Sequence, residues 1–285
     1  MLVMRTVAYA RKLVPKPPRV LFLTTVVVIL GVTIVLAIHF SLLNTAKVHL
    51  ENAYEDVAYT LMPSAERAFV YGERHFNAMQ KGEYDVARAK YFSEETRRLD
   101  PDHSLVHHEL ARISFLEGNQ ETALYRITTQ IEKHGSATAS SYYVRGLIEG
   151  FLGKYADSAR DYETYLKTDP TNWAALTDYS WVLLKSGRIH EALDATSYGL
   201  NYFPDNPWLL NANAIALYEL GKVEDGLVQI RKAQRVVSTV TEEDWLKAYP
   251  GNDPRMAGEG VRALQDSIIH NMHTMNSRHD SGELQ

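Results

Sequence analysis

Residues 146–159 read GLIEGFLGKYADSA. Gly146, Gly150 and Gly153 close on Lys154, a grouping that invites comparison with phosphate-binding loops. Such a loop needs four residues between its glycines, then Lys-Ser or Lys-Thr, after a strand. Lys154 is followed by Tyr155, and no strand pattern precedes it. The nucleotide reading is rejected, and the glycines need another explanation. Spacing supplies it: Gly153, Gly187 and Gly221 stand 34 and 34 residues apart, Gly118 lies 35 earlier and Gly82 another 36. Pro170 and Pro204 keep the same 34-residue step. Each glycine sits between two stretches of helical period, so the pattern predicts a helix–turn–helix hairpin stacked repeatedly. Gly153 then ends a helix, where glycine takes left-handed backbone angles without a Cβ penalty.

The surroundings of the glycines recur as well. Seven residues before the last four stand Ala111, Gly146, Ser180 and Ala214, all small, and eleven before them His107, Tyr142, Leu176 and Leu210, mostly large. Two after the five glycines come Tyr84, Gln120, Tyr155, Ile189 and Val223; five after them, Ala87, Ala123, Ser158, Ala192 and Gly226. Small residues let two helices approach, and large ones fill the space beside them.

On these residues the chain resembles the tetratricopeptide repeat family, whose 34-residue unit combines a large residue, a small one, a turn glycine, an alanine and a closing proline. The stretches SSYYVRGLIEGFLGKYADSARDYETYLKTDPTN and WAALTDYSWVLLKSGRIHEALDATSYGLNYFPDN carry the resemblance best, with PWLLNANAIALYELGKVEDGLVQIRKAQ after them. The unit before them has Gly135 where proline is usual, and the first has His75 in its small slot and Pro101 two residues late. The resemblance covers about residues 64–238 and implies an all-α solenoid of about five hairpins. It also implies that the first helix of each hairpin lines a groove for an extended peptide or a helix. The residues so placed are His108, Arg112, Tyr143, Leu147, Thr177, Trp181, Asn211 and Ile215, bordered by Trp208 and Tyr218. The family's clamp for a terminal carboxylate uses several Lys, Arg and Asn residues; here only Arg112 and Asn211 stand in such places, which argues against chaperone-tail binding. Trp181 has two readings, an anchor for a partner or a ring packed on the neighbouring hairpin.

The 285 residues suffice for one sizeable domain or two small ones. Cysteine is absent, which removes disulfides, thiolate metal sites and cysteine nucleophiles. Of the 30 lysines and arginines, Arg5, Arg11, Lys12, Lys16 and Arg19 lie in residues 1–19, which hold no acid. The other 25 face 35 acidic residues, so the folded part lacks the basic footprint of a nucleic-acid binder.

Val20 to Ile38 is a run without charge or proline, continued through Phe40, Leu42 and Leu43. Nineteen residues span roughly 28 Å as a helix, close to a bilayer's hydrocarbon thickness. A cleaved signal would have an apolar region of about 7–15 residues and a small-x-small site, so residues 20–43 read as an uncleaved membrane anchor. Residues 1–19 then form a basic cytoplasmic tail, and everything after Asn44 lies outside the cytoplasm. The weaker alternative for this Arg-rich start is a mitochondrial transit peptide.

Leu50, Tyr54, Val57 and Leu61 form one apolar stripe, so residues 44–63 are expected to continue the anchor as a stalk capping the first hairpin, with a dimer seam as the alternative. After the repeats, residues 239–275 combine turn chemistry at Tyr249–Pro254 with a helix whose Val261, Leu264, Ile268, Met272 and Met275 share a face. That helix would close the open end of the solenoid; the sharper alternative is that the segment folds back into the groove. Residues 276–285 read as a disordered tail.

His103 and His107 are four residues apart, with His108 and Glu109 beside them; two-histidine spacing alone is weak support for a metal, and His270 with His273 adds no more. No cofactor is implied. The reading that results is a non-enzymatic, membrane-anchored interaction scaffold for proteins of the cell envelope, in assembly, secretion or folding. A self-associating structural spacer is the alternative, and an envelope enzyme using the histidine cluster the third reading.

Overall fold

The computed structural model describes residues 19–281, all of them in helices, turns or loops. Helix α1 (Arg19–Leu61) is followed by five helix pairs: α2 and α3 (Ala65–Phe76, Val86–Leu99), α4 and α5 (Val106–Leu116, Gln120–His134), α6 and α7 (Ala139–Phe151, Tyr155–Leu166), α8 and α9 (Trp173–Lys185, Ile189–Tyr202), α10 and α11 (Pro207–Glu219, Val223–Val237). A short α12 (Glu242–Ala248), a 3-10 turn at Pro254–Met256 and α13 (Ala257–Ser281) complete the chain. The chain divides into two compact units, Met1–Asp56 and Val57–Gln285.

The glycine period marks the hairpin bends for a backbone reason. Gly118, Gly153, Gly187 and Gly221 all have φ between +75° and +79°. The N–H of the residue after each glycine donates to the carbonyl five positions back, at 2.9 Å in all four cases: Asn119 to Ser114, Lys154 to Glu149, Arg188 to Leu183 and Lys222 to Leu217. This closes the last turn and satisfies carbonyls the helix leaves orphaned. Helix starts are set by side chains: Ser64, Asp85, Asn172 and Asn206 each accept the N–H three residues on.

Within the hairpins the small residues lie at the contacts. Ala111, Ser180 and Ala214 are fully buried, as are Ala123, Ser158 and Ala192 on the facing helices. A Cβ on Gly146 would stand 3.3 Å from the Ser158 carbonyl and from the Tyr162 ring. Ser158 instead donates its hydroxyl to the Gly146 carbonyl at 2.6 Å, so the two helices are tied where they approach most closely.

The first hairpin departs from the expected register. Gly82 is not among the glycines with positive φ, and the connection runs through residues 77–85, so α3 starts at Val86. Ala87, expected at a helix contact, is exposed, and Ala89 takes that place with no accessible surface. The small residue of α2 is Gly72, whose missing Cβ would meet the Ala89 carbonyl at 3.3 Å and the Ser93 hydroxyl at 3.1 Å. A longer loop shifted the contact along the sequence without altering its chemistry, and it holds Tyr84 in the loop rather than at the start of a helix.

Buried side chains make the contacts at both ends of the stack. The stripe Leu50, Tyr54, Val57 and Leu61 is more than half exposed throughout. The contact to the first hairpin comes from Tyr59, buried against Phe92 at 5.6 Å between ring centroids and donating its hydroxyl to Glu95 at 2.6 Å. At the other end, α13 runs to Ser281, so residues 276–281 are helical rather than a disordered tail; residues 282–285 and 1–18 lie outside the described part. Ile268 and Met275 of α13 are buried against Leu210, Ala214 and Leu227, covering the end of the stack.

Residues 26–43 of α1 expose their apolar side chains, Val27, Leu30, Val35 and Phe40 among them. Among the described residues this is the one helix long and apolar enough to cross a membrane.

Candidate functional site

The first helices α4, α6, α8 and α10 each pack beside the next, and Arg112 of α4 reaches the Phe76 ring of α2, so these helices present one face in sequence. A cleft of about 500 Å³ opens on that face. Its floor and walls are His108, Arg112 and Phe115 of α4, Tyr143, Val144 and Leu147 of α6, and Trp173 at the start of α8. Residues Lys247–Pro250 and Asn252 supply the remaining wall. The segment after the last hairpin therefore returns across the face to the first hairpins, the fold-back alternative of the sequence.

That return is held at its turn. Arg112 donates to the Pro250 carbonyl at 3.0 Å, and the Tyr84 hydroxyl donates to the Gly251 carbonyl at 2.8 Å. Gly251 is buried with φ +90°, and a Cβ there would stand against the Arg112 guanidinium and 3.3 Å from the Phe76 ring. Tyr249 lies in an aromatic group with Trp245 at 5.2 Å and Trp208 at 6.3 Å, and Trp208 meets Trp173 at a tilt with 5.1 Å between ring centroids. Arg112 is itself fixed, donating to both Glu109 oxygens at 2.9 and 3.1 Å and to Asn77 at 3.2 Å, with its guanidinium 4.6 Å from the centre of the Phe76 ring.

Burial sets the electrostatics of this face. His108 accepts or donates to Ser141 at 3.0 Å, and burial, with the Arg112 charge nearby, drives its pKa down to about 3, so the ring is neutral. Burial lifts Glu109 to about 7 against the pull of Arg112, and neighbouring Glu73 adds to the rise. Asp178 of α8 accepts the Tyr143 hydroxyl at 2.6 Å, yet burial still raises its carboxyl to about 6. Glu149, one of whose carboxyl oxygens is buried without a hydrogen-bond partner, is raised to about 7 by burial and then by Asp161.

Of the residues expected in the groove, His108, Arg112, Tyr143 and Leu147 come together in the cleft. Trp208 stands at its border through Trp173 and Tyr249. Thr177 turns its hydroxyl back onto the Trp173 carbonyl at 2.9 Å. Trp181 is absent from the cleft wall: its ring packs on Phe151 at 5.7 Å and Tyr155 at 6.1 Å, the packing alternative. Gly150 is what admits it, since a Cβ there would lie 2.8 Å from the ring. Asn211 accepts from Asn271 at 2.9 Å, Ile215 and Tyr218 pack into the cluster that holds Ile268, and Arg278 lies 5.0 Å from the centre of the Tyr218 ring, so α13 covers the three last-hairpin positions.

Sequence reasoning missed Tyr84, Asp178 and Tyr249. Asp178 had a signal: it lies nine residues before its turn glycine, as Glu109 does, on the same face of the first helix. Tyr84 and Tyr249 had none. Among the described residues no three His, Cys, Asp or Glu side chains are grouped to hold a metal. His103 instead packs on the Phe69 ring at 4.4 Å.

The tetratricopeptide repeat family matches residues 143–207. Among solved structures, one of MamA (MSR-1) is 18% identical, with a TM-score of 0.51 over 61% of this chain and 98% of that one. A second, of MamA (AMB-1), is 18% identical, with a TM-score of 0.52 over 60% and 99%. YrrB, described as a TPR protein with an unusual peptide-binding site, is 12% identical, with a TM-score of 0.53 over 64% and 91%. At these identities the likeness shows the fold: a stack of tetratricopeptide-type helix pairs. No curated protein sequence gives a significant match.

Proposed function

We propose that this chain is a membrane-anchored interaction scaffold whose cleft receives a peptide or helical segment of a partner protein of the cell envelope. The observation that carries the reading is the half-filled aromatic cleft, walled by three successive hairpins and open beside Tyr249. Aromatic walls bury large area at small entropic cost, which suits them to holding another chain. The fold's likeness to a repeat protein with a peptide-binding site is consistent with it. Residues 20–43 serve as the anchor; the five basic residues and no acid among residues 1–19 support a cytoplasmic side there and the repeats on the other side. Confinement to the membrane raises the effective concentration of scaffold and partner.

A photo-crosslinker at Leu147, on the cleft wall, is expected to trap a partner in native membranes, and one at the exposed Tyr125 is not. Leu147→Glu puts a charge into the apolar wall and should weaken capture at least tenfold, about 1.4 kcal/mol or more. Melting should move little, because Leu147 is only half-buried. Unchanged capture by this variant would refute the groove reading.

One observation favours the spacer as a second reading: the apolar stripe Leu50, Tyr54, Val57 and Leu61 is more than half exposed at every position. Sedimentation of the detergent-solubilised chain decides it. A dimer lost on Tyr54→Glu and Leu61→Glu supports the spacer, and a monomer before and after removes it.

A further inference from the structure

We propose that the turn Tyr249–Asn252 is a resident occupant of the helix face, filling one side of the groove and leaving the cleft open beside it, and that the partner the groove serves offers the same chemistry: an aromatic residue followed by a proline–glycine turn. This rests on the groove reading above and names its ligand class. The polar anchors of the turn are main-chain carbonyls, Pro250 read by Arg112 at 3.0 Å and Gly251 by the Tyr84 hydroxyl at 2.8 Å. Neither donor reads a side chain, so any segment that brings two carbonyls through the same bend satisfies both.

Glycine is demanded at the third position for two separate reasons. Its φ of +90° lies where other residues are strained, and a Cβ would strike Arg112 and crowd Phe76. The aromatic residue two places earlier is selected by Trp208, whose ring meets Tyr249 edge-on, while Trp245 of the segment's own α12 backs it with a tilted ring. Proline between them holds the bend before binding, which lowers the entropy lost on docking.

The occupant is seated but not sealed. Tyr249 keeps 36% of its surface exposed, and the open cleft runs alongside it. Beyond the turn, Glu242 of α12 reaches Lys81 across the surface at 3.6 Å, a contact of the weak exposed kind. Tethering gives the turn an effective concentration of order millimolar, so a free segment of equal intrinsic affinity competes poorly until the turn is loosened.

The probe is a fluorescent synthetic peptide, LKAYPGNDPR, identical to residues 246–255, titrated into the full chain in detergent micelles. Gly251→Val in the chain unseats the resident turn, and probe affinity is expected to rise at least tenfold over the unaltered chain. Adding Tyr84→Phe, which deletes one hydroxyl, should return several-fold of that gain, and a probe carrying valine for its glycine should not bind. Tyr249→Ala is a second route to the loosened state should Gly251→Val lose helicity. Folded loosened chains that bind the probe no better than the unaltered chain, or bind the valine probe equally, overturn the proposal. So does a dimer formed by turn exchange, which would make the occupant a second copy. If these tests fail while Leu147→Glu still abolishes partner capture, the turn chemistry falls and the groove reading stands; if capture survives Leu147→Glu, both fall.

Discussion

Replacing Trp181 with alanine is expected to lower the unfolding free energy by about 3 kcal/mol, from the range for buried aromatic truncations, while leaving partner capture unchanged. The ring is half-buried between hairpins, in contact with Phe151 and Tyr155, and it fills the space that Gly150 leaves by lacking a Cβ. Truncation empties that space, and the fully buried Val182, next to it in the chain and also beside Gly150, cannot move far to refill it. The same ring would be a binding anchor if α8 turned that position into the cleft, and the two roles part in experiment. Thermal melts read the packing role and crosslinking from Leu147 reads the other. Intact melting with lost capture would return Trp181 to the binding face and contradict the packing described here.

Asp178→Asn should stabilise the protein by ~1–2 kcal/mol at pH 8, with the gain shrinking as pH falls through 6 and gone near pH 4. The folded carboxyl titrates at about 6, above its ordinary value of 3.8, because burial penalises the charge more than the Tyr143 hydroxyl compensates. Between those values the folded chain holds a proton that the unfolded chain has released. Stability from this group is therefore full below the unfolded pKa and lost as pH rises through the folded one. Asparagine keeps an acceptor for Tyr143 and carries no charge, so the variant lacks the loss. The difference between variant and parent is the proper readout, because His108 works in the opposite sense: its lowered pKa costs stability as pH falls below 6.5. A difference that is flat from pH 4 to pH 8 would mean Asp178 titrates normally, and that the site behind Tyr143 is wetter than its geometry implies.

The repeat was legible because it rests on backbone requirements. A bend that needs positive φ selects glycine, and hairpins of equal length put that glycine at equal intervals, so Gly118, Gly153, Gly187 and Gly221 announced the bends correctly. Gly82 fits the period in sequence and fails it in space, because the first connection is longer and does not need a left-handed residue. Tyrosine at residue 84, two after a glycine, therefore fits the recurring pattern in sequence, while in the fold it is a hydrogen-bond donor to the returning turn. Part of the cleft was legible for the same reason. His108, Arg112, Tyr143 and Leu147 follow from helical phase within a hairpin, whereas Trp181 has the same phase but faces a gap left by Gly150.

Local rules in the chain decided the helix pairs, their bends, their small contact residues and the apolar run near the start, because each depends on neighbours a few positions away. Where residues 239–281 go was decided only by the fold. Arg112 lies 138 positions from Pro250, and Tyr84 lies 167 from Gly251. Contacts over such separations leave no period to read. They exist because stacking five hairpins creates an apolar face and an exposed end, and burying both stabilises the particular return path the chain takes.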